Sequence, residues 1–411
     1  MTRRSHQWSR GLAIVSAFAA AGALTADTLA MGSKPMRANQ QVERRLDGAE
    51  AAVVAVLKDI ASDRIGSAQT ELDRLLAAKP DFRLAQLIKG DLLMARARPI
   101  ETLGSAPDGP ADRLQDLRDE AKARLLRMHT ETPRDRLPRY LLKMAPEQKF
   151  AIVVDTARSS LYVFANRNGT PQYVADYYIT IGKNGIEKVR EGDKKTPLGV
   201  YQVTGSLPLS RVGDFYGAGA YPISYPNEWD RRQGRDGHGI WLHGTPRDTY
   251  SRPPRASDGC VVLTNEDLQA IARDLQIGVT PVIISSGVDW VAEQDLNSVR
   301  ASLESSVEQW RKDWESLQTE NYLAHYAPTF STGTSSLAEW AAQKRAVNSG
   351  KTWVKVKLDG VSMFLYPGRE PLAVVNFTQD YASSNLSNVM KKRQYWLRDG
   401  TRWKIVYEGA A

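Results

Sequence analysis

The sequence predicts a multidomain α+β protein, because the spacing of its apolar residues changes twice along 411 residues. Helical spacing prevails from about residue 40 to residue 128, and short β-type runs separated by Gly, Asn and Asp turns begin at Lys149. From Trp290 a long amphipathic helix precedes further strands. Such a length exceeds one ordinary core. We therefore predict a signal peptide over 1–30, a helical domain over 31–145, a mostly-β domain over 146–288 and an α+β roll over 296–411.

The N-terminus has the pattern of a secretory signal. Arg3, Arg4 and Arg10 precede a short apolar run that ends at Leu24, and small residues make Ala30 the expected cleavage site. An uncleaved anchor helix is the alternative. No later segment is long enough to span a bilayer. The sequence therefore predicts export to the periplasm or cell envelope, with no membrane contact beyond the signal.

The region after the signal is predicted to be a small helical bundle. Apolar residues recur at helical spacing, and Pro80 falls between two such runs, where a helix boundary is expected. One helical pair resembles a tetratricopeptide unit, but a single unit does not build a solenoid. Its amphipathic faces suggest a homodimer through this region.

Two local signals organise the mostly-β domain. Residues 166–169, Asn-Arg-Asn-Gly, are a hairpin turn between two β-type runs. Further along, residues 264–267, Thr-Asn-Glu-Asp, form a capping signature that should start a helix over 268–276.

The last region is rich in aromatic residues. A long helix carries Trp310 and Trp314, and we expect Tyr322, Tyr326 and Phe330 to continue the helical pattern. With the strands that follow, this region resembles the cystatin-like α+β roll of the SnoaL or nuclear-transport-factor type. Such rolls often hold an apolar pocket, although packing of helix on sheet is the simpler explanation for these aromatic side chains.

Cys260 is the only cysteine of the chain, and it lies in the sequence Ser-Asp-Gly-Cys-Val-Val downstream of His243. An exported protein rarely keeps one unpaired thiol without a use. A neighbouring imidazole can turn a thiol into a nucleophilic thiolate, and Gly259 lets backbone N–H groups face a developing oxyanion. This segment therefore predicts an acyl-transfer site.

Other functional classes fit less well. His238 and His243 lie at an odd offset, so in a strand their imidazoles face opposite sides, which argues against a shared metal. We expect no metal and no cofactor. The net charge of +8 suits an anionic polymer such as a cell wall, but no Lys/Arg block with interleaved aromatics predicts nucleic-acid binding.

These motifs together resemble the YkuD-type L,D-transpeptidase catalytic domain, whose pattern is His-Gly followed by Ser/Thr-x-Gly-Cys. The resemblance covers about residues 150–286 and includes residues 181–185 and 192–201 before the site. The order of helical region, transpeptidase-like domain and SnoaL-like roll resembles a subgroup that includes L,D-carboxypeptidases governing cell shape.

The resemblance implies specific roles on peptidoglycan tetrapeptide stems. Cys260 attacks the diaminopimelate–D-alanine bond, His243 takes the thiol proton, and the Gly244 carbonyl orients the imidazole. The amides of Gly259 and Cys260 hold the oxyanion. The thioester then passes to an amine, which is cross-linking, or to water, which is carboxypeptidase trimming. Hydrolysis of wall-attached lipoproteins, in place of D-alanine release, is a variant of this hypothesis.

The sequence departs from the family pattern at two positions. Asp258 stands where many members have His, and Val262 where many have Arg or Asn. An inward carboxylate would raise the thiol pKa, although we expect Asp258 to face solvent. The alternative is a catalytically inactive wall-binding scaffold. A thiolate paired with His243 should react with an alkylating agent at pH values well below 8. The thiol of an inactive scaffold should not.

Several residues are candidates for substrate contact. The loop between His243 and Cys260 offers arginines to replace the missing one, and Ser257 opens the cysteine motif. Residues before the His243 strand could line the cleft. The candidates are Arg247, Arg252, Arg255, Ser257, Tyr225, Asn227 and Trp229.

Overall fold

The computed structural model describes residues 48–105, 109–129 and 132–411. The predicted signal peptide over 1–30 lies outside the described residues. Within the described ranges, no helix has the length and apolar character needed to cross a bilayer.

Four helices form the N-terminal region, and they share one buried core. They are Ala49–Ala61, Ile65–Ala78, Arg83–Met94 and Ala111–His129. The helices at Ile65 and Arg83 are separated at Pro80, as predicted. The helical region ends earlier than expected, because two short strands, β1 (Leu137–Pro138) and β2 (Leu141–Lys143), follow it. Both strands pair with elements far along the chain, which local spacing does not reveal.

The central domain is mostly β, as predicted, and its main sheet has the order β5-β4-β3-β12-β7. These strands are β3 (Phe150–Asp155), β4 (Ser160–Arg167), β5 (Thr170–Tyr178), β7 (Gly199–Gln202) and β12 (Pro281–Ser285). β3 is almost continuously apolar because it is buried in the middle of the sheet. Asn168 and Gly169 take φ of 55° and 91°, which makes the predicted hairpin turn between β4 and β5.

Short strands and helices at one end of this sheet carry the candidate site. They are β6 (Ile181–Gly182), Leu209–Val212, the 3₁₀ turn Asp214–Tyr216, β8 (Ala220–Pro222), Glu228–Arg232, β9 (Trp241–His243), β10 (Arg255–Ser257), β11 (Val261–Val262) and Asn265–Ala272. β11, β9 and β8 form one small sheet, and β10 pairs with β6. The helix after β11 is capped as predicted, with the Thr264 side chain accepting from the Asp267 amide, but it begins at Asn265 and ends at Ala272, earlier than the predicted 268–276.

The C-terminal region is an α+β roll in which helices cover a sheet of order β14-β18-β17-β16-β15-β2. Its elements are β13 (Trp290–Val291), Glu293–Glu315, Thr319–Leu323, β14 (Tyr326–Ser331), Leu337–Ser349, β15 (Val354–Leu365), β16 (Leu372–Ser383), β17 (Leu386–Asp399) and β18 (Arg402–Ala410). Trp310 and Trp396 are fully buried, so these tryptophans serve the core.

One expectation for this roll was wrong. Tyr326 and Phe330 lie in strand β14, which pairs with β18, and do not continue the helix. The helix stops at Glu315, and Leu317 adopts a positive φ of 59°, which redirects the chain. The spacing of Tyr326 and Phe330 also suits a helix, so it is the pairing with β18 that makes this segment a strand.

The central and C-terminal regions share one hydrophobic core. Trp229 stacks on Tyr395 with ring centroids 5.5 Å apart. Beside this pair, the Arg393 guanidinium lies 2.9 Å from a carboxylate oxygen of Glu228. Strand β2 adds to the edge of the C-terminal sheet. The roll is therefore packed directly onto the domain that carries the candidate site.

Candidate active site

Of the two residues singled out by the sequence, His243 ends one strand and Cys260 precedes another, and these two strands are parallel neighbours. β9 and β11 pair with Leu242 opposite Val261 and His243 opposite Val262, and Cys260 immediately precedes β11. Leu242 is fully buried in the core of the domain. Because side chains alternate along a strand, the His243 side chain lies on the opposite face of β9 from this core.

His243 is held in a defined tautomer. Its Nδ1 lies 2.7 Å from the Gly244 carbonyl oxygen, and since a carbonyl can only accept, Nδ1 carries the hydrogen. The Nε2 lone pair is thereby left to receive a proton. The ring is 1% exposed, and burial lowers the pKa of His243 to about 4, against the opposing effect of the Gly244 hydrogen bond. The imidazole is therefore neutral at neutral pH.

Cys260 is partly exposed, and its thiol donates to the Gly239 carbonyl at 3.3 Å. Burial raises the pKa of Cys260 to about 11, although the Trp241 backbone N–H acts in the opposite direction. At neutral pH the Cys260 side chain is therefore a thiol and the His243 imidazole a neutral base. The structure thus does not support a thiolate at neutral pH.

The cysteine turn is organised by Ser257. Its hydroxyl donates to the Cys260 carbonyl at 2.6 Å and accepts from the Gly259 amide at 3.1 Å. Thr196 donates to the Gly259 carbonyl at 2.9 Å. The Gly259 amide is therefore already used, and of the two predicted oxyanion donors only the Cys260 N–H is not taken by Ser257. Ser257 is a turn-forming residue in this structure and is 3% exposed.

Asn265 was not singled out as a site residue by sequence reasoning, yet it holds the segment after His243 in place. Its Oδ1 accepts from the Ala218 amide at 2.7 Å, and its Nδ2 donates to the Thr245 carbonyl at 2.9 Å. A Cβ on Gly244 would collide with the same side chain. Its position in a helix-capping signature concealed this second role.

An aromatic wall beside the base was also not predicted. The Tyr216 ring lies 5.0 Å from the His243 ring and 4.8 Å from the Trp241 ring. Phe215 is 6.2 Å from His243 and is 52% exposed, so it borders the solvent side of the site. No spacing pattern marks these residues, because they arrive on a short turn and not on a regular strand.

The three loop arginines take different positions. Arg252 is partly buried, and its guanidinium lies 4.7 Å from the centre of the Phe215 ring. Arg247 is exposed and its Nε lies 3.3 Å from an Asp214 carboxylate oxygen. Arg255 is exposed at the start of β10. Arg252 is thus the arginine that the structure brings to the aromatic wall of the site.

The candidates before the His243 strand are engaged within the protein. Asn227 caps a helix and donates to the Val200 carbonyl at 3.0 Å. The Tyr225 hydroxyl donates to the Asp236 carbonyl at 2.8 Å, and Trp229 packs against the C-terminal roll. All three are buried. Their expected contact with substrate therefore gains no support from these positions.

The two departures from the family motif differ in their surroundings. Asp258 faces solvent, as expected, and its carboxylate lies 2.9 Å from Lys183 Nζ. Val262 is buried in its strand. In the described part of the chain, no group of three His, Cys, Asp or Glu side chains has the arrangement of a metal site.

Comparisons with known families match two regions. Residues 149–284 match the L,D-transpeptidase catalytic domain, YkuD, and residues 302–409 match the Cds6 C-terminal NTF2-like domain. A comparison with curated proteins found no match.

Two solved structures resemble most of the chain. Bd1075 of Bdellovibrio bacteriovorus is 29% identical with a TM-score of 0.60, and the match covers 67% of this chain and 98% of that one. The helical cell shape determining protein Pgp2 of Campylobacter jejuni is 25% identical with a TM-score of 0.58, covering 66% of this chain and 95% of that one.

Proposed function

Since residues 149–284 form a YkuD-type L,D-transpeptidase catalytic domain and residues 302–409 an NTF2-like domain, as the motifs predicted, we propose that this protein is an exported enzyme acting on peptidoglycan stem peptides. The observation that carries the proposal is the pairing of β9 with β11, which sets Cys260 beside the strand of His243. The basic and apolar N-terminus supports action in the periplasm or cell envelope.

The first half-reaction is thioester formation. Cys260 Sγ attacks the carbonyl carbon of the diaminopimelate–D-alanine bond while His243 Nε2 takes the thiol proton. The Gly244 carbonyl keeps the imidazole in the tautomer that makes Nε2 the base. His243 then returns the proton to the amine of D-alanine, which leaves. The Cys260 amide is the oxyanion donor that this structure supports, and such a donor typically contributes about 3 kcal/mol to transition-state stability.

The second half-reaction decides the product. Water on the thioester gives a tripeptide, and an amine from another stem gives a cross-link. The attached C-terminal roll, in an order that resembles L,D-carboxypeptidases governing cell shape, favours hydrolysis, while the name of the matched catalytic family favours transfer. We propose thioester chemistry in both cases, with carboxypeptidase trimming and transpeptidation as the two outcomes.

The test is incubation of the purified protein with disaccharide tetrapeptide, followed by mass analysis of the products. Release of D-alanine is expected, and Cys260→Ala and His243→Ala should each abolish it. His238→Ala is the matched control, because this imidazole is exposed and its side chain is 77% accessible. Tripeptide alone would identify trimming, and dimers would identify transfer. No release from the wild type, or release that survives loss of Cys260, contradicts the proposal.

The second candidate is a wall-binding scaffold with an inactive site, motivated by Asp258 and Val262 at positions where the family differs. Because the pKa of the thiol is raised, slow alkylation is no evidence for the scaffold, since an active cysteine that is protonated at neutral pH also alkylates slowly. Product analysis separates the two candidates. A protein that binds intact peptidoglycan and leaves every tetrapeptide unchanged would be the scaffold. A homodimer through the helical region stays a prediction.

A further inference from the structure

The helical region covers the loop that joins the base to the nucleophile. The Phe82 ring lies 4.7 Å from the Tyr250 ring, and Arg83 donates to the Thr249 hydroxyl at 3.2 Å. Thr249 is 6% exposed. A surface loop is usually mobile, but this one is held from outside the domain by side chains of the N-terminal helices.

A buried ion pair forms the centre of this contact. Glu120 and Arg124 are 1% and 0% exposed, and their charged groups lie 2.8 Å apart. The Ser251 hydroxyl donates to the same Glu120 oxygen at 2.6 Å. A buried carboxylate that lacks hydrogen-bond donors is costly in free energy, so breaking the Ser251 hydrogen bond to Glu120 would be strongly unfavourable. The loop is therefore held at Ser251.

Arg252 follows directly and points toward the site. Its carbonyl accepts from the hydroxyls of Tyr178 and Thr180 at 3.0 Å each, so its backbone is held at this carbonyl by two side chains of the central domain. Its guanidinium lies over Phe215, whose ring neighbours His243. Among the described residues, no carboxylate forms an ion pair with Arg252. A partly buried cation without an anion at the edge of a nucleophile site suits an anionic ligand.

We propose that the helical region is part of the active site, because Glu120 acts through Ser251 to hold Arg252 where it receives the substrate carboxylate next to the scissile bond. In this assignment Arg252 determines specificity, and Glu120 and Ser251 are positioning residues. The identity of the carboxylate, that of the terminal D-alanine, rests on the proposed function. The position of Arg252 over Phe215, whose ring neighbours His243, does not rest on it.

The single cysteine allows a test that needs no peptidoglycan. The rates at which iodoacetate and iodoacetamide alkylate the full-length protein are measured at pH 9, and their ratio reports positive charge beside the sulfur. Arg252→Gln should lower the ratio about tenfold, the order expected for one charge acting over several ångströms in partly screened surroundings. Ser251→Ala should lower it about threefold to fivefold, since it leaves Arg252 in place but loosens the loop.

Asp176→Asn is the matched control. It removes the ion pair of 2.7 Å between Arg127 and Asp176, which also joins the helical region to the central domain but is made to β5 and not to a residue of the loop. Its alkylation ratio should stay within twofold of wild type. Circular dichroism checks that each variant is folded.

A second readout links this device to substrate. Wild type should prefer a tetrapeptide with a free terminal carboxylate over its carboxamide, and both loop variants should lose the preference through KM more than through kcat. The proposal is overturned if Ser251→Ala keeps the wild-type alkylation ratio, if Arg252→Gln does not change it, or if Asp176→Asn lowers it equally. A wild type that releases no D-alanine refutes the proposed function alone, because the alkylation ratios still decide the positioning.

Discussion

Gly259 is the position at which one added methyl group should have the largest effect on the site. Its φ is +122°, a conformation that side chains other than glycine rarely adopt, and holding alanine there costs about 1–3 kcal/mol. A Cβ would also lie 2.7 Å from the Lys195 carbonyl oxygen and 3.1 Å from Ile240 Cδ1. Both effects act on the turn that presents the nucleophile.

The Lys195 carbonyl has little freedom to move away. The Asp193 carboxylate accepts from the amides of Val189, Arg190 and Lys195. The Nζ atom of the buried Lys188 also lies 2.8 Å from an oxygen of this carboxylate. The cysteine turn must therefore shift instead. We expect Gly259→Ala to lower the free energy of unfolding by about 3 kcal/mol, and to lower D-alanine release about 100-fold or more through the displaced Cys260 amide.

The assay combines urea unfolding with D-alanine release, and Gly185→Ala is the matched control. Gly185 also has a positive φ, +86°, but a Cβ there meets nothing within 4 Å. The control should lose only about 1 kcal/mol and keep its activity within twofold. If Gly259→Ala were as stable and as active as this control, the close approach of Lys195 would not be what requires glycine.

Two further predictions concern charge. Because the pKa of His243 is lowered to about 4, D-alanine release should fall only below about pH 5. Because the pKa of Cys260 is raised to about 11, the rate of iodoacetamide alkylation should still rise between pH 8 and pH 10, and a plateau below pH 8 would contradict this. Burial alone would raise the pKa of Glu228, but the Arg393 guanidinium and the hydrogen bonds that the carboxylate accepts, one of them from Tyr395, together lower that pKa below 4.5. The stabilisation by this pair is therefore present above pH 4.5 and lost as pH falls through the lower, folded-state value. Glu228→Gln should cost about 3 kcal/mol in urea unfolding at pH 7 and almost nothing well below pH 4. Glu320→Gln, in an exposed pair, should change the unfolding free energy little at either pH, and equal losses for the two variants would refute the argument.

Local chemistry was enough to predict much of this protein. Asn168 and Gly169 mark their hairpin because few other residues accept positive φ, and Thr264 marks a helix start through its side-chain hydrogen bond. The lone Cys260 and His243 pointed to one site because their reactivity depends on the residue types themselves. Each of these signals acts within a few residues or through one distinctive side chain.

Tertiary structure decided the other features, because they depend on contacts with distant residues, which the spacing of residues in the sequence does not encode. Tyr326 became a strand residue by pairing with β18, and Trp229 became a contact to the C-terminal roll. Burial reversed the expected charge state of Cys260, because the cost of charging a group depends on what surrounds it. Glu120 reached the site only through the packing of helices against a distant loop. Residue identity thus determined which chemistry was available, and the fold determined its protonation, its neighbours and its access.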